Sequence, residues 1–395
     1  MRPVDATPIL RSALAAAVCL GCSAAPSMQP SGAPPSYPGT DTLQATPMAP
    51  AFTPMTSAPR TVQVSISSES FGQQGFPWSA SPPAGEPVFV DGWALRFSRI
   101  LVTVKDIRLN GPGTTPSDPA AVGAAVALNP RAYAVNVQRT GSLTGAGGGD
   151  ETAVPLFVFA AADSGASLDA TVRYALSYDL VTATRQATNI NLDGDDLTAY
   201  QRMIDRGWTQ LVEGTATYRG ATPAAGSAFA SYPTAVSFSF GYGAPARYAN
   251  CVNPDNGGDA TPGVQPSATR HARAQLTLHM DHLFWEALGR EDPPLHFDPM
   301  AARATGDASA ARVTLDDLVG VVPTNLRDRM NRSVPDRGAQ TMGYTARNPM
   351  ALSLDPGGAS GINDLRDFVV YSARASGHLN ADGLCAVRST GPLRF

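Results

Sequence analysis

Lysine is almost missing from this chain: Lys105 is the only one in 395 residues. Any mechanism that needs a lysine amine has that single candidate. It lies in a strand-like stretch, Val102 to Leu109, beside Asp106, and reads as a solvated strand position. The remaining basic residues are arginines, a bias we attribute to genome composition. Charge of either sign is sparse, with 16% charged residues and a formal net charge of -4. The cations are scattered, which argues against a nucleic-acid partner and against electrostatic attraction to anionic lipid. No apolar run is long enough to span a bilayer. The common catalytic strings are missing too: there is no Gly-x-Ser-x-Gly elbow, no Gly-x-x-x-x-Gly-Lys loop and no His-Glu-x-x-His. The glycines at 145, 147 and 149 lie in a flexible crossing, Arg139 to Glu151, without the strand and helix that a dinucleotide fingerprint needs. The reading is therefore of a protein that is not an enzyme. An unrecognised envelope hydrolase is the alternative from another class, because triad geometry need not leave a local signature.

The first 60 residues are organised differently from the rest. Arg2 and Arg11 precede the apolar stretch Ser12 to Leu20, and Cys19-Leu-Gly-Cys22 follows, the layout of a secretory signal over residues 1–21. Leu20 and Gly21 before Cys22 resemble the lipobox of bacterial lipoproteins, which implies acylation of Cys22. Cys19 stands where that box usually has Leu, and the alternative is ordinary cleavage near Ala24 or Ala25. Ser23 after the cysteine implies, by the same resemblance, an outer-membrane lipoprotein facing the periplasm or the cell surface. Residues 22–60 are rich in Pro, Ser, Ala and Thr and nearly uncharged, with prolines at 26, 30, 34, 35, 38, 47, 50, 54 and 59. Such a composition cannot bury a core and predicts an extended tether.

At 43% hydrophobic over its 395 residues, the chain can bury one large or two modest cores, and strand signals begin at residue 61. Apolar residues alternate at Val62, Val64 and Ile66, at Trp93, Leu95 and Phe97, and, after a one-residue phase shift readable as a bulge or a turn, at Ile100, Val102 and Val104. Leu156 to Phe159 reads as a more fully buried strand. The alternation recurs in its clearest form from Leu168 to Tyr178, then at Val236, Phe238 and Phe240 and at Leu276, Leu278 and Met280. Many short two-period strands between Gly and Pro clusters predict a mainly β fold, an antiparallel β-sandwich over 61–395. Helices are expected at Asp196 to Arg206, ending at Gly207, and at Leu365 to Ser376, capped by Asn363 and closed by Gly377. The helical additions fall within about 281–376.

After processing two cysteines remain, Cys251 and Cys385, and an even pair in an exported protein predicts a disulfide. Paired metal thiolates are the alternative, although neither cysteine has a second ligand at metal spacing. Three of the five histidines cluster in sequence: His279, His282 and His296, with Asp281, Glu286 and Asp298 among them. His279 falls on the polar face of its strand with Arg273, Gln275 and Thr277, so core packing does not account for it. His282 follows Asp281 at the start of a short apolar helix through Leu288. Two imidazoles around such a corner predict a transition-metal site, copper or zinc, with Glu286 or His378 completing the shell. Against this, surface histidines need no purpose, and Asp281 and Asp298, the latter followed by Pro299, read as helix caps. A metal-free adhesion or scaffold module is the rival reading, with an envelope protein or a small ligand as partner.

Two segments look like calcium loops. Asn189, Asn191, Asp193 and Gly194 match the opening of an EF-hand, but Tyr200 replaces the bidentate Glu. Around Val313-Thr-Leu-Asp-Asp-Leu318, Asp317 takes the twelfth position, while Gly306, Ala308 and Ala310 occupy ligand positions and Asp307 alone does not rescue them. Calcium is thus less expected than copper or zinc. The strings His279-Met-Asp-His-Leu-Phe-Trp285, Val313-Thr-Leu-Asp-Asp-Leu318 and Gly377-His-Leu-Asn-Ala-Asp-Gly-Leu-Cys385 together resemble uncharacterised surface lipoproteins of the myxobacterial type, over most of the region after Gly85. That resemblance implies an outer-membrane lipoprotein with a β domain and, in some relatives, a working EF-hand; it implies no reaction.

Overall fold

The computed structural model describes residues 58–81, 86–111, 118–146, 151–160, 167–253, 262–286, 293–322, 326–330 and 362–395, with the single residues 47, 113 and 332. The leader, Cys22 and nearly all of the 22–60 tether lie outside the described residues.

In chain order the elements are β1 (Val62–Ser67), α1 (Glu69–Gln74), β2 (Trp93–Asn110), β3 (Ala125–Asn129), β4 (Tyr133–Asn136), β5 (Leu143–Thr144), β6 (Thr152–Phe159), β7 (Ala175–Leu180) and β8 (Thr188–Asn189). They continue with α2 (Asp195–Arg206), β9 (Gln210–Tyr218), β10 (Ala235–Tyr242), β11 (Ala246–Ala249), β12 (Ala272–Leu278), α3 (Asp298–Ala301), β13 (Arg312–Thr314), α4 (Leu365–Ala373), β14 (Gly377–Leu379), β15 (Gly383–Leu384) and β16 (Ala386–Ser389). Short 3-10 turns at Met280–Phe284 and Leu315–Leu318 follow β12 and β13.

The fold is mainly β, as the two-period patterning predicts, and sandwich-like. One sheet runs β15-β14-β12-β1-β6-β5; the larger follows the path β13-β10-β9-β2-β7-β11-β16, with β3, β4 and β8 attached to it. The pairing is not purely antiparallel: β1 with β12, β10 with β13 and β4 with β8 run parallel, so both sheets are mixed. Parallel neighbours need crossovers rather than hairpins. Here β1 and β12 adjoin although about 200 residues separate them. Apolar faces of the two sheets meet in one core that joins Val62, Val64, Ile66 and Leu276 to Trp93, Leu95, Phe97 and Phe238.

The phase shift after Phe97 is a bulge. β2 continues as one 18-residue strand, and its register against β9 slips between Phe97 and Arg99. An extra residue there turns Ile100, Val102 and Val104 back toward the core face. The clearest alternation in the sequence is the poorest guide. From Leu168 to Arg173 the chain turns, with the Asp169 carboxylate accepting from the Thr171 N–H and hydroxyl. Only Ala175–Leu180 forms a strand, and Tyr174 makes an isolated bridge to Val264. A local side-chain acceptor outcompetes strand pairing there.

Helix α2 matches its expected span. Tyr200 and Met203 are buried in a second apolar cluster with Leu101 and Leu211, and Gly207 closes the helix in the left-handed region at φ 69°. Helix α4 is shorter than expected and differently capped. Asp364, not Asn363, accepts from the Asp367 N–H, and Asn363 instead donates to the Asp367 carboxylate. Gly377 does not close the helix; it begins β14. Among the described residues no helix is long and apolar enough to cross a membrane.

Cys251 and Cys385 are joined by a disulfide, the pairing expected from their number. Cys385 stands between β15 and β16, where the chain passes from the smaller sheet to the larger, and Cys251 follows β11. The bond therefore ties the C-terminal strands at the point where they change sheets.

Candidate metal centre

The polar face of β1, and that of β12 beyond the exposed Arg273, is not solvated. Gln275 and Thr277, polar neighbours of His279 along its strand, are 2% and 0% exposed. The Gln275 amide donates to Ser67 Oγ and Glu151 Oε1 and accepts from the Ala146 N–H, so residues of the glycine-rich crossing close over this face. An alternating strand shows which residues share a face; it does not show what covers that face.

His279 follows the last residue of β12 on this covered face. His378 pairs opposite Thr277 across β12 and β14, which makes it the diagonal neighbour of His279. Their rings stack with centroids 3.9 Å apart and planes 15° from parallel. His282 comes from the 3-10 turn Met280–Phe284, which is shorter than the helix expected there. Its ring stands nearly perpendicular to both others, 6.0 Å from His279 and 5.5 Å from His378. One nitrogen from each of the three lies within 4.8 Å of the others. Trp285 lies against the far side of His282, 3.6 Å between centroids, with its indole N–H held by the Asp281 carboxylate. Asp281 therefore anchors an indole rather than capping a helix.

Surroundings fix the state of each ring. Nε2 of His279 faces Glu69 Oε1 at 3.1 Å and the Ala381 carbonyl at 3.3 Å, both acceptors, so it carries a proton. Burial pulls the pKa of His279 down, but the close Glu69 carboxylate, with Asp281 and Asp382 beyond, outweighs it and raises the value to about 9. His282 and His378 are pushed well below the ordinary histidine value, by burial first and then by the charge on His279. Nδ1 of His282 lies 3.3 Å from the Ser372 carbonyl, which directs the Nε2 lone pair of the neutral ring elsewhere. Nδ1 of His378, on a residue 5% exposed, has no hydrogen-bond partner. The centre is one imidazolium stacked on one neutral imidazole, with a second neutral imidazole edge-on.

That arrangement can hold a transition ion, with one movement. A ring nitrogen's lone pair lies in the ring plane, so the perpendicular pair His282 and His378 can aim at a common point. Two stacked rings cannot, and His279 joins the same shell only by turning off the stack.

Glu286, expected to complete the shell, is not part of it. Its carboxylate bonds His296 Nε2 at 2.9 Å, and His296 faces Asp91 from its other side at 3.6 Å. The turn after His282 ends at Phe284, too soon to bring Glu286 round one helical turn. The carboxylates that do approach are Glu69, the first residue of α1, and Asp382, from the β14–β15 turn, which with His279 form a second convergent group. Glu69 is 210 positions from His279 in sequence, and only the β1–β12 pairing, Ser67 opposite Thr277, brings it near. No local signal could have marked it.

Asp298 is likewise not a cap. It opens α3, with Pro299 second, and its carboxylate accepts from Trp93 Nε1 at 2.8 Å and from Arg329 Nε at 2.8 Å. The Arg329 guanidinium lies 4.8 Å from the Trp93 ring and 4.2 Å from that of Tyr218.

Neither calcium-like segment is arranged for calcium. In the first, the Arg139 guanidinium takes the cation's place: it bonds both Asp193 oxygens at 2.6 and 2.7 Å, the Asn191 carbonyl and Asp196 Oδ2. The Asn189 side chain closes on Leu192 and that of Asn191 on the Asn136 backbone. In the second, Asp317 is spent on the Thr314 N–H and hydroxyl, and Asp307 on Ser309 and Ala310.

Comparison of the chain with protein-family models, with curated proteins and with solved structures finds no match.

Proposed function

We propose that this chain is an exported lipoprotein, tethered to the outer membrane through Cys22, whose β domain binds a transition metal ion, copper or zinc, at His279, His282 and His378. The observation that carries the metal reading is the convergence of three imidazoles from three separate segments, two of them buried and held neutral. Neutral imidazole suits both ions, and no thiolate or methionine is needed to bind either. The buried, unpartnered Nδ1 of His378 is the kind of orphan that a ligand relieves. Export is supported by the leader pattern and by a disulfide suited to an oxidising compartment. The membrane is the partner through the anchor, and no nucleic acid is implied.

Elemental analysis of the purified full-length chain, beside the His279→Ala, His282→Ala double variant, tests the site. The expected result is copper or zinc in the first and none in the second. A metal-free parent that takes up neither ion on addition would end the metal reading. Cys22→Ser should move the protein from the membrane fraction to the soluble one, and unchanged fractionation would end the anchor.

A second reading has its own observation. The stack of His279 on His378, with Glu69 pairing the imidazolium, is a self-sufficient structural contact, as a metal-free scaffold or adhesion module would have. The elemental analysis separates the two.

A further inference from the structure

The orientation of His279 divides the donors differently from the triad. As stacked on His378, its ring cannot aim at an ion between His282 and His378 without turning, while its Nε2 lies beside an oxygen-lined group: Glu69 Oε1 at 3.1 Å, the Ala381 carbonyl at 3.3 Å and Asp382. Glu69, His279 and Asp382 offer three donor atoms within 4.8 Å of one another. The supports of this group are unusual. Six described non-glycine residues have positive φ, and three of them, Glu69 at 58°, Asn380 at 49° and Ala381 at 67°, build its walls. Left-handed backbone at such residues persists only where its surroundings impose it. There is also a gradient of access: Asp382 is exposed, His279 and Glu69 are partly exposed, and His282 and His378 are buried.

We infer that Glu69, His279 and Asp382, with the Ala381 carbonyl, form a second metal position, outside the imidazole pair His282 and His378 and able to take a divalent cation of the zinc or manganese kind. One nitrogen and three oxygens suit such borderline-to-hard ions rather than copper(I). The inner ion then rests on the perpendicular pair, and His279 serves the outer one without turning its ring, the arriving cation displacing the proton from Nε2 to solvent. The inference shares His279 with the proposed function but does not depend on the inner ion.

The test is zinc stoichiometry, by isothermal titration and elemental analysis, on the full-length chain and two double variants. The expected result is two ions per chain in the parent, one in Glu69→Gln, Asp382→Asn, and one in His282→Ala, His378→Ala. If the parent holds one ion and the carboxylate variant keeps it, the outer position is overturned and the inner reading stands. If the single ion is lost from the carboxylate variant but kept without His282 and His378, the outer position stands and the inner reading falls. A parent that binds no zinc overturns the outer position outright. Circular dichroism of each variant shows that a lost ion reflects a lost ligand and not a lost fold.

Discussion

Replacing Arg329 with Met should destabilise the protein by an amount that depends on pH. Asp298 is 0% exposed, and its carboxyl is pushed up to about 6, by burial first and by the nearby Asp91 charge second, against the opposing hydrogen bonds of Arg329 and Trp93. In the parent the folded state therefore holds this proton more tightly than the unfolded chain does. Between about pH 4 and 6 the group costs stability as pH rises, by roughly 2–3 kcal/mol, because each pH unit separating the folded value from the unfolded one is worth about 1.36 kcal/mol. Met keeps the bulk of the arginine stem but removes the cation that makes the ionised carboxylate tolerable, so the folded value climbs further. At pH 5 Asp298 is mostly protonated in both proteins, and the loss is confined to the hydrogen bonds and ring contacts of Arg329, about 1–2 kcal/mol. At pH 8 the variant must either bury an unpaired charge or protonate it against the solution, and the loss grows to about 3–5 kcal/mol. Urea denaturation followed by tryptophan fluorescence at the two pH values measures both. Comparing variant with parent at each pH cancels the titration of groups remote from Arg329. An equal loss at pH 5 and pH 8, or a loss under about 1 kcal/mol at pH 8, would refute the account of Asp298 as a carboxylate kept ionised by Arg329.

Reducing the Cys251–Cys385 bond, whose residues are 134 positions apart, should lower stability by about 4–5 kcal/mol from loop-closure entropy; an unchanged urea midpoint in a phosphine reductant would contradict this. Gly377→Ala should cost more than about 2 kcal/mol. A Cβ there would strike the Tyr248 ring and the Tyr178 hydroxyl, two buried rings already stacked on each other 4.8 Å apart, and thermal unfolding reads the loss. Millimolar calcium should leave the melting temperature unchanged, because Arg139 already neutralises Asp193 and Asp196; a clear rise would show that an ion displaces the guanidinium.

Periodicity showed the sheet architecture because it records which residues share a face, and the shared core between Val62, Ile66, Leu95 and Phe238 is what those faces bury. It failed where another local force acted. At Asp169 a side-chain acceptor bent an ideally alternating stretch into a turn, and at Asn363 the neighbouring Asp364 made the better cap. Strand partners were beyond its reach, since nothing in β1 records that its parallel neighbour begins at Ala272.

The same limit explains the candidate site. His279 stood out because it falls on the polar face of its strand, where core packing does not account for it, yet alternation alone would leave that face in water, where a histidine needs no purpose. The structure covers that face with Ala146 and Glu151 from the two ends of the glycine-rich crossing, the α1 start and the β14–β15 turn, and covering changes the chemistry. Glu69 and His279 are left only partly exposed, so solvent screens their charges weakly, and one ring is held charged while its two neighbours are held neutral. A cluster of three histidines thus acquires different roles from position alone. The residue that imposes the difference, Glu69, reaches His279 only through the pairing of strands far apart in sequence. Had the polar face stayed open, the three rings would titrate near the ordinary histidine value and compete equally for any ion. Closed as it is, the buried pair presents lone pairs at neutral pH and the outer ring presents a proton. The protonation of each ring at neutral pH therefore follows from what packs over β12 and not from the spacing of histidines in the chain.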